Sequence, residues 1–397
     1  MNLLHIIASA NPADGGPIEG IVRQDRACRE AGVDGDRELV TLDLPDDPWV
    51  ARFPIKVHAL GSARPPAVTP WGKALAHWRY YPEVVPWLRE SVQRYDAVIV
   101  NGLWNYSSFA ASRVLPRSGV PYFVFTHGML DPWFRQAYPL KHLAKQAFWL
   151  AGEGRLMAEA TSVLFTCEEE RRKARREFWG YGDYKETVVG YGASAPPPRT
   201  PALERAFRSV VPSLGERPYL LFLSRIHPKK GCDLLIEAFC RVGKAHPDTD
   251  LVMVGPDQIG WKSELEAISE RQGMASRIHW TGALYGDEKW GALFGADAFV
   301  LPSHAENFGI AVAEALGCGT PVLITDKVDI WREIDAANAG IVTVDTLDAT
   351  EDVLAQWLSM DDSAKAVMRT NAVGLFASKF DVAKTGPDLI DTMRSLL

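Results

Sequence analysis

The chain repeats one alternation of short apolar runs and helical patterns along its length, and this repeat limits what it can fold into. The apolar runs of the first half predict strands at residues 3–9, 37–42, 56–60, 97–101, 122–126, 162–166 and 187–189. They are continuous rather than alternating, so we expect helices on both faces of a buried sheet. Strands that alternate with helices are typical of parallel sheets built from βαβ units. The first half therefore predicts a doubly wound α/β domain.

A glycine- and proline-rich stretch at residues 190–198 interrupts this pattern and predicts a linker. Strands are then predicted at residues 219–224, 251–254, 278–281, 298–302, 321–325 and 340–344, with helices at 232–246, 262–271, 287–294 and 309–316. We expect an N-terminal Rossmann-like domain of residues 1–193 and a C-terminal Rossmann-like domain of residues 194–375, with a final helix at 376–397 that crosses back. Parallel sheets bind ligands at the carboxyl ends of their strands, so two such domains facing across a cleft predict one shared site.

Composition narrows the class of protein. With 397 residues the chain is long enough for two cores, and its net charge of −7 does not favour nucleic acid as a partner. The five cysteines are scattered and form no Cys-x-x-Cys pair, which argues against disulfides and zinc and fits a reducing cytosol. The apolar start is too short for a signal peptide, and no run of 18 apolar residues occurs. We expect a soluble, cytoplasmic enzyme.

Residues 303–322 form the most informative segment. Glu306 lies in a loop after a predicted strand, and a helix is predicted to begin near Gly309 with unpaired backbone N–H groups that suit an anion. Glu314 follows eight residues after Glu306, inside that helix. As isolated residues they could be a helix-terminal charge and a solvated side chain. The small and apolar neighbours of Glu314 favour a ligand site instead.

A basic loop follows the first strand of the second half. Arg225, Lys229 and Lys230 lie in residues 223–231, directly after the predicted strand. Arginine offers a planar fork and lysine a point charge, which suit a diphosphate that gains negative charge as a bond breaks. Basic loops are more often simply solvated, and we interpret Lys229 as such a surface residue.

Two loops of the first half also follow strands. Paired glycines at residues 15–16 would let a phosphate or sugar approach the backbone, although such a loop is often only a turn. His127 follows the strand at 122–126; a lone histidine is usually a core residue, but the end of a strand favours a site. Asn101, Trp104, Asn105 and Asp131 offer polar groups and a flat aromatic ring on which a sugar could stack. For the first three, a helix capped by Asn105 with Trp104 in the core is an equal alternative.

The segment with Glu306 and Glu314 resembles the E-x7-E motif of retaining GT-B glycosyltransferases of family 4, the glycosyl transferases of group 1. Arg225 and Lys230 match the Arg-x4-Lys-Gly pattern of that family, and Gly16 matches its Gly-Gly loop. The resemblance extends over essentially the whole chain, with the motifs in the family's order. It departs at the linker and at Asn307, where glycine or proline is common.

The resemblance implies that residues 1–193 bind the acceptor, with Asn101, Trp104, Asn105 and Asp131 as candidate contacts, and that residues 194–375 bind the nucleotide sugar. It also implies a role for each matching residue. Glu306 would bind hydroxyls of the donor sugar and Glu314 the ribose, while Arg225 and Lys230 would hold the diphosphate. Gly16 would face the distal phosphate, and His127 would contact the hexose. The catalytic set is then His127, Arg225, Lys230 and Glu306, and the remaining donor contacts are Asn307, Phe308, Gly309 and Ile310.

The implied reaction is transfer of a hexose, with retention and without a metal or other cofactor, from a UDP- or GDP-sugar to a sugar or glycolipid acceptor. Bacterial polysaccharide or glycolipid synthesis is the expected process. A nucleotide-sugar epimerase on the same fold and a non-catalytic nucleotide-sugar-binding module are the alternatives. The basic and aromatic stretches 141–150 and 171–179 also suit peripheral contact with the inner face of a membrane, although charge runs are usually solvated helix faces.

Overall fold

The computed structural model describes residues 1–62, 78–175 and 177–397. It divides into two compact units: residues 1–191 together with 382–397, and residues 192–381. Each unit has one parallel sheet with its own helices. The predicted α/β class, with two Rossmann-like domains, is confirmed.

The first unit is built on a seven-stranded sheet in the order β3-β2-β1-β4-β5-β6-β7. Its strands are β1 Leu3–Ile6, β2 Arg37–Thr41, β3 Lys56–Ala59, β4 Ala97–Asn101, β5 Tyr122–Phe125, β6 Ser162–Phe165 and β7 Glu186–Val188. All neighbouring strands are parallel. β1, β4, β5 and β6 are buried at every residue, as continuous apolar runs require.

Helices connect these strands. They are α1 Gly16–Glu30, α2 Val84–Ser91, α3 Tyr106–Val114, α4 Trp133–Ala137, α5 Pro139–Phe148, α6 Gly154–Ala158 and α7 Glu168–Ala174. A five-residue π-helical segment, Trp149–Glu153, joins α5 to α6. The chain order of strand, helix and parallel strand brings the loops after β1, β4, β5 and β6 to one edge of the sheet.

The second unit contains a six-stranded parallel sheet in the order β10-β9-β8-β11-β12-β13. Its strands are β8 Tyr219–Leu223, β9 Asp250–Val254, β10 Ile278–Gly282, β11 Ala298–Leu301, β12 Val322–Thr325 and β13 Gly340–Thr343. Its helices are α8 Pro201–Val210, α9 Cys232–Val242, α10 Lys262–Arg271, α11 Gly286–Gly295, α12 Ile310–Gly317, α13 Trp331–Ala336, α14 Leu347–Leu358 and α15 Asp362–Leu375. The central strands β8 and β11 are neighbours, so the loops that follow them meet at one edge.

Each predicted strand is present, and most strands end one to three residues earlier than the apolar pattern predicts. The last helix, α16 Val382–Leu396, packs against α1 within the first unit. The division between the units falls after residues 191 and 381, whereas the pattern placed it after 193 and 375. Residues 376–380 continue α15 as a π-helical turn, and the Phe380 ring meets the Phe308 ring edge-on with centroids 5.5 Å apart. These contacts keep that turn in the second unit.

Candidate functional site

Lys230 and Glu306, 76 residues apart in sequence, form an ion pair in the second unit. Lys230 ends a short 3₁₀ turn, Pro228–Lys230, in the loop between β8 and α9. Glu306 lies in the loop between β11 and α12. Because β8 and β11 are adjacent and parallel, their following loops bring the two side chains together. Lys230 is only 5% exposed, so its charge depends on this carboxylate.

Backbone hydrogen bonds hold the Glu306 loop in place. The N–H of Glu306 donates to the Lys327 carbonyl at 2.9 Å, and the Glu306 carbonyl accepts from the N–H of Asp329 at 2.9 Å. This pairs the loop with the segment after β12. The Lys229 carbonyl accepts from the N–H of His304 at 2.9 Å, which ties the basic loop to the same place. Lys229 is half-buried, so it is less exposed than the surface residue that the sequence suggested.

The charges around Glu306 keep it ionised. Burial alone would raise the pKa of Glu306, but the positive charges of Lys230, Lys229 and Arg225 outweigh this effect and lower it below the ordinary value. The pKa of His227 is lowered, first by burial and then by the same three cations. Positive potential therefore dominates this edge of the sheet. Such an arrangement attracts a polyanion such as a diphosphate.

Two glycines are needed for this geometry. Gly231 adopts φ +64°, and a Cβ there would lie 2.0 Å from the Pro302 carbonyl oxygen. Gly309 adopts φ +71°, and a Cβ there would lie 3.3 Å from Cγ of Glu306. Residues with side chains rarely adopt such conformations. The glycines thus let the basic loop approach β11 and let α12 begin directly beside the carboxylate.

The start of α12 is the place where the sequence predicts an anion-binding backbone. Gly309 is the N-cap, and no side chain caps the helix. Among the predicted contacts in this run, Phe308 is 4% exposed, so its side chain belongs to the core. Asn307 has a buried Oδ1 with no hydrogen-bond partner among the described residues. Ile310 is the first residue of the helix, whose opening turn can face an anion.

Arg225 and Glu314 lie in the same unit but have different partners. Arg225 is exposed, and its Nη1 donates to Oε1 of Gln258 at 3.1 Å. The carboxylate of Glu314, 13% exposed on α12, accepts from Nζ of Lys289 at 2.7 Å. Lys289 and Gln258 were not predicted, because neither belongs to a recognisable motif. Four of the donor-binding residues predicted in this unit are charged: Arg225, Lys230, Glu306 and Glu314. Among these four, the structure pairs only Lys230 with Glu306 directly.

In the first unit, Gly15 and Gly16 begin α1. Gly15 has φ +81°, and neither glycine has a heavy atom within 4 Å of the position that a Cβ would occupy. The Gly16 carbonyl accepts from the Tyr191 hydroxyl at 3.0 Å. No side chain caps the helix. The backbone here is open on one side, as an approaching anion or sugar requires.

His127 lies two residues after β5 with φ +49°, a conformation uncommon outside glycine. Its ring stacks on Phe125 with centroids 4.3 Å apart, and its Nε2 lies 3.2 Å from Oδ1 of Asn101. Nδ2 of Asn101 in turn lies 3.3 Å from Nδ1 of His5. Burial lowers the pKa of His127 to about 3. The imidazole is therefore neutral near pH 7, and it can offer hydrogen bonds but no positive charge.

A buried carboxylate that was not predicted holds the His127 turn. Glu170, 3% exposed on α7, accepts from Oγ1 of Thr126 at 2.8 Å and from the N–H of Gly128 at 2.6 Å. Its other oxygen accepts from the N–H and the Oγ1 of Thr166, both at 2.7 Å. Glu170 therefore joins the ends of β5 and β6 on both sides of His127. In the sequence it belongs to an acidic run, Glu168 to Glu170, which looks like an ordinary first helical turn.

The loop after β4 is organised by helix capping. Oδ1 of Asn105 accepts from the N–H of Ser108 at 3.1 Å and forms a capping box at the start of α3. Trp104 has φ +67°, and its backbone N–H donates to the carboxylate of Glu153 at 2.9 Å. Burial raises the pKa of Glu153 to about 7. The alternative in which Asn105 caps a helix therefore describes the observed geometry.

The remaining acceptor candidates have internal partners as well. Asn101 is 4% exposed and bonded to His127 and His5 as described above. Oδ1 of Asp131 accepts from the N–H of Trp133 at 2.8 Å. The structure thus brings Asn101 to His127, and it places Trp104, Asn105 and Asp131 in neighbouring loops of the first unit.

The described ranges contain neither a cluster of metal ligands nor a helix that could span a membrane. No three His, Cys, Asp or Glu side chains in those ranges are grouped so that they could hold a metal ion. Within the same ranges, every helix is too short or too polar to cross a bilayer.

Comparison with known proteins gives matches along most of the chain. The family model of glycosyl transferases group 1 matches residues 204–372, and that of the glycosyl transferase 4-like domain matches residues 15–192. A D-inositol 3-phosphate glycosyltransferase of Segniliparus rotundus is 28% identical over 254 residues, which cover 62% of this chain and 55% of the relative. The chain spans about half the length of the curated relatives it matches: 55%, 40% and 47% for three of them.

Two solved structures are similar over almost their full lengths. Anabaena HepE in complex with UDP has a TM-score of 0.76 and 18% identity, with all of both chains covered. Sucrose-phosphate synthase from Thermosynechococcus elongatus has a TM-score of 0.74 and 18% identity, with 100% of this chain and 98% of that chain covered. The two family models and the two doubly wound sheets together show that the chain belongs to the group 1 glycosyltransferases and has the GT-B fold.

Proposed function

We propose that the protein is a retaining hexosyltransferase that moves a hexose from a nucleotide-diphosphate sugar to a sugar or lipid-linked sugar, in bacterial polysaccharide or glycolipid synthesis. The observation that carries the proposal is the ion pair of buried Lys230 with partly buried Glu306, beside the uncapped start of α12. A buried cation, a carboxylate and free amides at one edge of a parallel sheet suit a ligand that carries both phosphates and hydroxyls. The UDP in the Anabaena HepE structure supports a nucleotide-sugar donor.

In this proposal the second unit grips the donor. Lys230 and the more exposed Arg225 neutralise the diphosphate, and the amides at the start of α12 add donors. Glu306 stays ionised because of these cations, so it can accept hydrogen bonds from sugar hydroxyls. Glu314, on the next turn of α12, is proposed to hold the ribose. Its partner Lys289 would keep that carboxylate oriented.

The chemistry follows from charge. As the bond between the anomeric carbon and the phosphate oxygen breaks, negative charge grows on the diphosphate, where Lys230 and Arg225 stabilise it. In a retaining reaction the acceptor hydroxyl attacks the face that the phosphate leaves, and its proton passes to the departing phosphate oxygen. Gly16 and His127 of the first unit are proposed donor contacts, with neutral His127 giving a hydrogen bond to the hexose. Transfer without a metal stays a prediction; activity lost in EDTA and restored by a divalent cation would contradict it.

Substitution of the ion pair tests the proposal. Glu306→Gln and Lys230→Met should each lower kcat/KM by about 10²–10³-fold, the usual cost of removing one group that stabilises charge in the transition state. Glu351→Gln and Lys262→Met, on exposed helices of the same unit, are matched controls and should retain activity. Near-control rates in both site variants would refute the assignment.

Product analysis separates this function from its rivals. The proton spectrum of the product should show the same anomeric configuration as the donor. Incubation with a nucleotide sugar alone should give slow hydrolysis and no epimer, whereas an epimerase would form one. Thermal-shift measurements with UDP-, GDP- and ADP-sugars should identify the donor, because ligand binding raises the melting temperature.

Peripheral membrane contact is a further part of the proposal. α5 has no fully buried residue, and its Leu140 and Leu143 are 81% and 66% exposed. Gln146 hydrogen-bonds both the N–H and the carbonyl of Trp179, which is 79% exposed, so the backbone of Trp179 lies beside α5. Lys141 adds positive charge on the same helix. Arg176, part of the basic stretch, lies outside the described residues.

This arrangement suits the surface of a bilayer that contains anionic lipids. Vesicles with phosphatidylglycerol should co-sediment the protein, and Leu140→Ser with Leu143→Ser should release it. Equal sedimentation of both proteins would exclude this contact.

A further inference from the structure

A pocket of about 610 Å³ opens in the first unit, between the first turns of α1 and the loop from β2 to β3. Ile18 and Val22 form the wall on α1, and Trp49 and Phe53 form the opposite wall. Three prolines complete the lining, including Pro12, and they restrict backbone movement around it. Pockets that bind small molecules have volumes of about 300–1,000 Å³ and mostly apolar walls.

Polar groups at this pocket leave one positive charge without an ion-pair partner and several N–H donors without an acceptor among the described residues, namely the Trp49 indole N–H and those at Nε and Nη2 of Arg23. Nη1 of Arg23 pairs with Oε2 of Glu19 at 3.3 Å, so these two charges compensate each other. Arg52 also lines the pocket, is exposed, and has no ion-pair partner in the described part of the chain. The indole N–H of Trp49 is buried without a hydrogen-bond acceptor among the same residues. A ligand that complements the pocket therefore has an apolar body and one acidic group.

The position of the pocket connects it to the proposed reaction. Pro12 and Ile18 line it, and they flank Gly15 and Gly16 in sequence. β1 and β2 are adjacent and parallel, so the loops that follow them share the carboxyl edge where open sheets bind ligands. The pocket thus adjoins the glycine loop proposed above to face the donor phosphate.

We propose that this pocket binds the apolar aglycone of the acceptor, and that Arg52 pairs with an acidic group beside that aglycone. The acceptor is then an anionic amphiphile rather than a free sugar. The identification of this ligand as the acceptor rests on the proposed function. The binding of an anionic amphiphile to the pocket does not.

Calorimetry with octyl phosphate, below its micelle concentration, tests the site. The full-length protein should bind octyl phosphate, and it should bind octanol and inorganic phosphate at least about tenfold more weakly, because each lacks one of the two interactions. Arg52→Gln should weaken octyl phosphate about tenfold, the cost of one charge-assisted contact. Val22→Trp should abolish binding by filling the pocket.

Matched controls use Arg26, a residue of the same helix that is 79% exposed and does not line the pocket. Arg26→Gln and Arg26→Trp should bind octyl phosphate like the wild type. Unchanged binding in Arg52→Gln and Val22→Trp would overturn the site, and so would equal affinity for octanol.

Transfer assays then connect the pocket to the acceptor. Val22→Trp should raise the KM of an acceptor with an acidic octyl aglycone at least tenfold, while the KM of the donor stays within twofold. An unchanged acceptor KM would overturn the acceptor assignment. If the wild type transfers sugar to no acceptor but the calorimetric pattern holds, the proposed function fails while the amphiphile site stands.

Discussion

Glu170→Gln tests whether the buried carboxylate holds the His127 turn. The carboxylate accepts four hydrogen bonds, two from hydroxyls and two from the backbone N–H groups of Gly128 and Thr166. The hydroxyls can rotate towards other acceptors, but the N–H groups cannot. Each N–H left buried without an acceptor costs about 1–3 kcal/mol.

Glu170→Gln and Glu170→Ala should therefore lower the free energy of unfolding by amounts that differ by a factor of two. Glutamine has one carbonyl oxygen, which can serve one of the two N–H groups, so Glu170→Gln should lower the free energy of unfolding by ~2 kcal/mol. Glu170→Ala leaves both N–H groups without an acceptor and should lower the free energy of unfolding by ~4 kcal/mol. Glu159→Gln is the control; its exposed pair with Arg155 should contribute less than about 1 kcal/mol.

Urea unfolding of the full chain measures these differences in the transition of the first unit. Hydrogen exchange adds a local readout, because the amides of Gly128 and Thr166 should lose protection in both variants while those of β1 keep it. The transfer rate should fall together with the protection of the His127 turn. A stable Glu170→Ala protein with normal amide protection would refute the reasoning.

Two other substitutions test the structure at single positions. Gly231→Ala should destabilise the second unit by ~1–3 kcal/mol more than Gly273→Ala does. Both glycines have positive φ, but only at position 231 would the added methyl group collide with the backbone. Equal losses of stability in the two variants would contradict this. Glu153 has a pKa of about 7 in the folded protein, above its unfolded value, so the folded state holds this proton more tightly. The free energy of unfolding should therefore fall by ~3 kcal/mol as the pH rises from about 4.5 to 7. Glu153→Gln should remove this loss, and parallel pH curves for both proteins would show that Glu153 does not titrate there.

Much of the fold could be read from local patterns. Continuous apolar runs predicted the strands of both sheets, because a strand covered on both faces must be apolar throughout. Their ends were less certain, since the residue at which ladder hydrogen bonding stops depends on the neighbouring strand. The turn at residues 376–380 illustrates this limit, because its membership in the second unit follows from the contact of Phe308 with Phe380.

The residues of the candidate site could be predicted from the sequence, but the pairing of their side chains could not. Its motifs marked Arg225, Lys230, Glu306 and Glu314, since strand ends, glycines and charges are visible in a sequence. The pairing of Lys230 with Glu306, and of Glu314 with Lys289, could not be read there. The first pair depends on which strands are adjacent and the second on which helices are in contact, and sequence separation says nothing about either.

By itself the sequence determined the α/β class and the loops that carry the charged residues, because hydrophobic period and glycine or proline chemistry act over a few residues. Only the tertiary structure decided how those loops are used. It made Asn105 a helix cap and placed Glu170 under the His127 turn. It also opened the pocket beside Arg52. These outcomes depend on distances between residues far apart in the chain, which packing alone sets.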